Sequence, residues 1–419
     1  MTKLKIILLT FIILNCHFTF AQNIKDEDVE YNYIKLPLNP LPGSIKNYQS
    51  SIFANYEEEN KIKKAKYEAE KKIADDNYDK EKAVYPSKVK AAEDKFNREM
   101  EEWKKKSLGE KVLEKQVLGE NNKPVKQIPS PPYPISVQLP DLKTSYDYPV
   151  VAKTYLILDG FTDKPDNAVK IDVILYGYDY TEPRQLSEQK TVASYANGQT
   201  QSNNVTYYHN EFSYRHTMSV KVTTPEGKEL FNISPQELNT YKIYKSPETA
   251  TPAPFNPQML VKTYEEKILQ ENLIIINNIV NDKIGYKRVK RKIELSFVKS
   301  KDETYQDLLI AYNDASAGLK ILIDDEINAK KKIDNAIELW NKALLESDIK
   351  NKKARIDKDV TLAIYFNLLE CYFANKDISN LEKVIASLNT MDLSSSKRKL
   401  KEQYEELNND LKKRISNNK

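Results

Sequence analysis

The sequence predicts an α+β multidomain fold: a β-sandwich with an inserted or projecting helical hairpin, followed by a C-terminal all-α, repeat-like domain. Three observations lead there. Residues 148–244 hold β-branched or alternating runs separated by turn residues. Residues 56–106 are dominated by Lys, Glu and Ala, and everything after residue 300 carries helical periodicity. At 419 residues the chain has room for two or three domains.

The N-terminus reads as an export signal over residues 1–21. Lys3 and Lys5 give a basic start, Ile6 to Asn15 is almost wholly apolar, and Thr19-Phe20-Ala21 offers small side chains to a signal peptidase before Gln22. Cys16 follows Ile13-Leu14-Asn15 as in a lipoprotein box, but Asn15 stands where such a box has a small residue. Simple secretion is therefore expected, to the periplasm, outer membrane or exterior. The Phe20-Ala21-Gln22 ending and the richness in Lys, Asn and Ile resemble a Gram-negative envelope protein. Beyond the signal, only Cys371 remains, which rules out an intramolecular disulfide and leaves packing to hold the fold.

An extended segment is expected over 22–55, then a helical hairpin with a Pro-rich return over 56–134. Pro86 disfavours helix at Tyr85 and suits the first turn of a new helix, so two antiparallel helices follow. Ile62, Ala65, Ala69 and Ile73 stripe the first; Val89, Ala92, Phe96, Met100 and Trp103 stripe the second. The β-sandwich is placed at 135–245, with strands at Val150–Leu158, Val169–Tyr180, Val205–Tyr208, Phe212–Thr223, Glu229–Ile233 and Tyr241–Tyr244. Asn197-Gly198 and Pro225-Glu226-Gly227 supply turns. A Pro-rich linker covers 246–257, and 258–299 holds a helix from Val261 ended by Gly285, then a strand. Residues 300–419 open with a Ser300/Glu303 capping box and continue as helices.

Two stretches of those helices carry a family likeness. Asp334-Asn335-Ala336-Ile337, Trp340, Ala343 and Leu344 form one; Tyr365, Asn367-Leu368, Tyr372, Asp377, Leu381, Ile385 and Leu388 form the other. The region is similar to tetratricopeptide repeats, with Leu369 and Leu381 standing where the family has small residues and no closing proline. The resemblance implies stacked helix pairs with a concave surface that receives a peptide or helix from a protein partner. Lys350, Lys352, Lys353 and Arg355, in a connection between two helices, are placed to steer an acidic segment.

Charge excludes one class of partner. With 65 basic against 61 acidic residues the chain lacks the basic excess a nucleic-acid binder needs. After the signal, no apolar run approaches the ~20 residues of a membrane span. The 9 glycines are too dispersed for G-x-G-x-x-G, and neither the P-loop nor G-x-S-x-G pattern occurs. No catalytic residue, cofactor or metal is therefore assigned. His209 and His216 fall on opposite strand faces, and Asp159, Asp163 and Asp166 lack calcium-loop spacing. Cys371 shares an apolar helix face with Leu368 and Tyr372 as a buried small hydrophobe. The run Lys287 to Lys292 reads as a solvated strand edge. Tyr176, Tyr178 and Tyr180 alternate onto one strand face, an expected aromatic platform for sugar rings or a peptide. The sequence thus points to a non-catalytic envelope scaffold or adaptor, with a glycan-binding module as the alternative and a hydrolase with dispersed carboxylates third.

Overall fold

The computed structural model describes residues 23–118, 123–196, 199–299 and 303–419. The expected signal peptide with Cys16, the Asn197-Gly198 turn and the Ser300 end of the capping box lie outside the described residues. The fold is mixed α/β, with a seven-stranded sheet and helices concentrated toward the C-terminus. In chain order come β1 (Ile24–Lys35), β2 (Asn47–Ala54), α1 (Glu57–Lys105), α2 (Leu108–Leu118), α3 (Tyr148–Tyr155), β3 (Thr162–Asp163) and β4 (Ala168–Tyr180). Then follow β5 (Arg184–Ala196), β6 (Gln199–Thr223), β7 (Glu229–Ile233), α4 (Gln236–Asn239), β8 (Lys242–Lys245), α5 (Pro257–Ile284) and β9 (Lys287–Val298). The chain closes with α6 (Gln306–Lys320), α7 (Glu326–Leu344), α8 (Lys358–Ala374), α9 (Ile378–Asn389) and α10 (Ser395–Asn417).

Two apolar cores organise these elements. In the first, the sheet runs β3-β2-β4-β6-β5, with β7 and β8 also on β6. Alternation along β4 buries Val169, Ile171, Val173 and Leu175 on one face. That face meets Leu269, Leu273, Ile276 and Val280 of α5, Ala152 of α3 and Leu156 just after it. A sheet-and-helix layer thus replaces the expected β-sandwich, because α5 presents the apolar face a second sheet would have supplied. Val150–Leu158, expected as a strand, begins as helix α3. The Asp147 side chain caps it by accepting from the Val150 N–H, and Pro149 sits in its first turn.

The second core joins the two ends of the chain. β1 pairs with β9 in antiparallel register from Ile24↔Val298 to Lys35↔Lys287. Val29, Tyr31, Ile293 and Leu295 from this ribbon pack with α6 to α10, including Leu319, Trp340, Leu368 and Leu411. Gly318 allows the close approach of α6 to α7, where a Cβ would lie 2.9 Å from the Ala329 carbonyl. Arg414, near the end of α10, ties the two cores together. Its guanidinium donates to the carbonyls of Leu36 and Asp282 at 2.7 and 3.1 Å and pairs with the Asp282 carboxylate at 2.7 Å. Lys35 reaches the same carboxylate at 2.8 Å, and despite burial these cations hold Asp282 below its usual range.

Residues between β2 and α3 leave the first core as an arm. The expected two-helix hairpin is instead one continuous 49-residue helix, α1, which runs through Pro86 and reaches about 73 Å. A proline inside a helix costs about 3 kcal/mol, but the helix continues on both sides, and the Pro-rich return cannot offer a second helix. That return lies along α1 as an extended segment without strand pairing. Lys126 pairs with Glu93 at 2.8 Å, the Tyr85 hydroxyl donates to the Pro129 carbonyl at 3.0 Å, and Asn60 clasps the base. Between Glu93 and Asn60 the helix advances about 50 Å; from Lys126 to Lys143 a polyproline rise covers about 53 Å. The two lengths match, so helix and return stay in step. The covered face carries Tyr56, Tyr67, Tyr78, Tyr85, Phe96 and Trp103, whereas Ile62, Ala65, Ala69 and Ile73 face solvent.

The clasp is reciprocal: the Asn60 amide donates to the Lys143 carbonyl at 2.8 Å and accepts from its N–H at 3.1 Å. Replacing residues 64–139 by a short Gly/Ser linker, with the clasp kept, is expected to leave cooperative unfolding of the remainder intact. Circular-dichroism melting checks this, and a broad, non-cooperative transition would show the arm to be integral.

Candidate functional site

Helices α7, α8 and α9 enclose a groove of about 680 Å³. Ile337, Leu344 and Leu368 form part of its floor, while Lys330, Asp334, Glu338, Asn341, Asn375, Asn380 and Lys383 supply polar walls. Each helix begins with an aspartate whose carboxylate accepts from the first-turn N–H groups: Asp325 for α7, Asp357 for α8 and Asp377 for α9. The side-chain amides are held in place. Asn341 donates to the Tyr372 hydroxyl at 3.0 Å, Asn375 to Asp334 at 2.8 Å and Asn380 to Asp377 at 2.7 Å. Lys330 pairs with Asp334 at 2.8 Å. An amide carries both donors and an acceptor, so this wall can satisfy the backbone of an extended chain.

On the side of α8 turned away from the groove lies a buried ionic cluster. Glu370 on α8, with a side chain 1% exposed, takes a bidentate contact from Arg291 of β9 at 2.7 and 2.9 Å. The Tyr31 and Tyr404 hydroxyls donate to the same carboxylate. Burial pushes both phenols well above their usual range, with the Glu370 charge adding to it. The cluster ties β1, β9, α8 and α10 together.

The residues expected to bind a partner lie elsewhere. Lys350, Lys352 and Lys353 are exposed in the connection between α7 and α8, just past Leu344. Arg355 is not free to steer a partner: it pairs with Asp307 at 2.9 Å and Glu346 at 2.7 Å and donates to the Thr304 carbonyl. The loop arginine instead fastens α6 to the α7–α8 connection.

The tyrosine platform divides at a β-bulge. Register shifts between Leu175 and Gly177, whose φ of +100° suits glycine and whose absent Cβ leaves room for the Lys143 side chain. Tyr178 and Tyr180 stack at 5.6 Å on the α5 face, whereas the Tyr176 hydroxyl meets Ser219 on the other. Tyr178 and Tyr214 are buried with Phe212, Val261 and Ile268, and Tyr264 of α5 sits 5.0 Å from the Tyr214 ring. Helix α5 therefore covers Tyr178, while Tyr176 and Tyr180 stay exposed on opposite faces of the sheet and present no shared aromatic surface.

The remaining sequence candidates are scattered. His216 is 1% exposed, edge-on to Tyr178 at 5.8 Å, and neither ring nitrogen has a hydrogen-bond partner; burial lowers its pKa to about 4. His209 lies 3.7 Å from Glu211. The Asp159 backbone bonds Asn281 and Tyr286, and Asp163 pairs in β3. Among the described residues no three His, Cys, Asp or Glu side chains are grouped to hold a metal ion. No described helix is long and apolar enough to cross a membrane. Cys371 is fully buried, and burial raises its thiol pKa. In the basic strand Arg291 turns inward, while Lys290 and Lys292 pair across to Glu30 and Asp28 of β1 at 2.7 and 2.8 Å. No family model, curated protein or solved structure matches the chain.

Proposed function

We propose that the chain is an exported, non-catalytic scaffold of a Gram-negative envelope that holds an extended segment of a protein partner in the α7–α8–α9 groove. The observation that carries this reading is the amide-lined wall of Asn341, Asn375 and Asn380 in a groove of about 680 Å³. Extended peptides are recognised largely through their backbones, and amide side chains meet both backbone donors and acceptors. Helices α6 to α9 serve as two divergent tetratricopeptide-like pairs, stacked so that one face closes on the core and the other stays open. The exposed Lys350, Lys352 and Lys353 of the α7–α8 connection lie outside the groove lining and add only a longer-range attraction for an acidic partner. Export rests on the basic start, apolar run and Thr19-Phe20-Ala21 ending of residues 1–21.

Asn341 and Asn380 each give up one side-chain hydrogen bond, to the Tyr372 hydroxyl and to Asp377, so their joint replacement by alanine is expected to cost about 1–3 kcal/mol and leave the protein folded. Binding of the partner should fall at least about tenfold, the scale of one lost good hydrogen bond in a desolvated contact. Quantitative co-purification from envelope extracts with Asn341→Ala/Asn380→Ala against the native protein reads this directly. Equal retention by a folded variant would refute the groove assignment.

A further inference from the structure

The β6 strand extends well beyond the first core. Its C-terminal part pairs with β4 from Tyr180↔Tyr214 to Lys170↔Thr223, and its N-terminal part pairs with β5 from Ala196↔Gln199 to Arg184↔Glu211. The 13 residues of β5 carry this two-stranded ribbon about 43 Å. On its other edge β6 meets β8 at Glu211–Tyr214 and Thr249 at Tyr208. From residue 199 to 207 that edge has no partner strand among the described residues.

Open edges are normally blunted by lysines, prolines or bulges. Here the chain, 30% charged overall, has no Asp, Glu, Lys or Arg from Thr191 to Asn210, and no proline there either. Lys190, which precedes that stretch, is paired to Glu248. The charge pattern bears on what pairs with the edge. In a two-fold antiparallel pairing centred on Asn203, residue 202 of one copy faces residue 204 of the other, so a charge on this strand would sit close to its own copy. An edge without charge meets no such repulsion, and a two-fold contact closes without leaving a further edge of the same kind.

We propose that two copies of this chain associate through the β6 edge at residues 199–207, joining their ribbons into a four-stranded sheet. This contact is separate from the α7–α8–α9 groove. Light scattering of the mature protein over a wide concentration range should show a mass rising from one chain to two. Ser202→Lys/Asn204→Lys and Ser202→Glu/Asn204→Glu each place like charges across the pairing and should each give the mass of one chain. Mixed together, they should restore the two-chain mass. Ser202 and Asn204 are exposed opposite Ala193 and Thr191, so neither substitution opposes a charge within the ribbon. Amide exchange in the unmodified protein adds a reading that needs no variant: protection at 199–207 should rise with concentration. A native protein of one-chain mass throughout, a two-chain mass that survives the lysine variant, a mixture that stays unassociated, or protection independent of concentration would each overturn the proposal.

Discussion

Replacing Glu370 with glutamine is expected to destabilise the C-terminal core by about 3–5 kcal/mol, the cost of leaving a buried charge without its counter-ion. The substitution preserves shape, so no cavity contributes. It strands the Arg291 guanidinium, which is held between the Phe373 and Tyr404 rings with centroids 5.3 and 5.5 Å away. It also removes the anionic acceptor of the Tyr31 and Tyr404 hydroxyls. Tyr31→Phe alone should cost less, about 1.5–3 kcal/mol, since one hydrogen bond to a charged group is lost. Pairing Glu370→Leu with Arg291→Met should recover part of the loss, because the uncompensated charge is then absent. Urea unfolding of the three variants checks the order, and a loss below about 1 kcal/mol for Glu370→Gln would contradict a coupled cluster.

The second large effect depends on pH and comes from His216. Unfolded, the imidazole titrates near 6.5; folded, burial lowers it to about 4, with Asp179 opposing and Lys143 reinforcing. At pH 7 the ring is neutral in both states and contributes nothing. As pH falls below 6.5 the unfolded chain takes up a proton that the folded chain does not, so stability declines until about pH 4. The loss attributable to this residue is about 3 kcal/mol, at 1.36 kcal/mol for each unit. His216→Phe keeps the edge-on contact with Tyr178 and removes the titration, so it should flatten the melting-temperature profile between pH 6.5 and 4. A variant with the native slope would show that other groups carry the acid sensitivity.

Short-range pattern made much of this architecture legible, and long-range pairing hid the rest. Alternation in Val169–Tyr180 anticipates β4, and the period from Val261 to Val280 anticipates α5, because each reports burial on a single face. Nothing local reveals that Ile24 pairs with Val298, or that α5 fills the place of a second sheet. Composition misled at Val150–Val151, where β-branched residues sit in a helix set by Asp147 and Pro149. Pro86 misled in the opposite sense, since a long helix tolerates one break in its bonding when an extended return lies alongside. The tyrosine platform failed on a single inserted residue: the bulge before Gly177 puts Tyr176 and Tyr178 on opposite faces. The groove was half legible. Helical periodicity marks Ile337, Leu344 and Leu368 of its floor, whereas Asn341 lies 34 residues before Asn375 and meets the Asn375–Asn380 turn only when α7 packs.

The most direct measurement is site-specific photo-cross-linking in intact cells, with the photoreactive residue placed at Glu338 in the groove wall and, separately, at Glu68 on the exposed face of α1. Position 338 is expected to give a discrete protein adduct that disappears when Asn341 and Asn380 are alanine, and position 68 to give no such adduct. The same adduct from both positions, or none from position 338, would contradict the groove assignment.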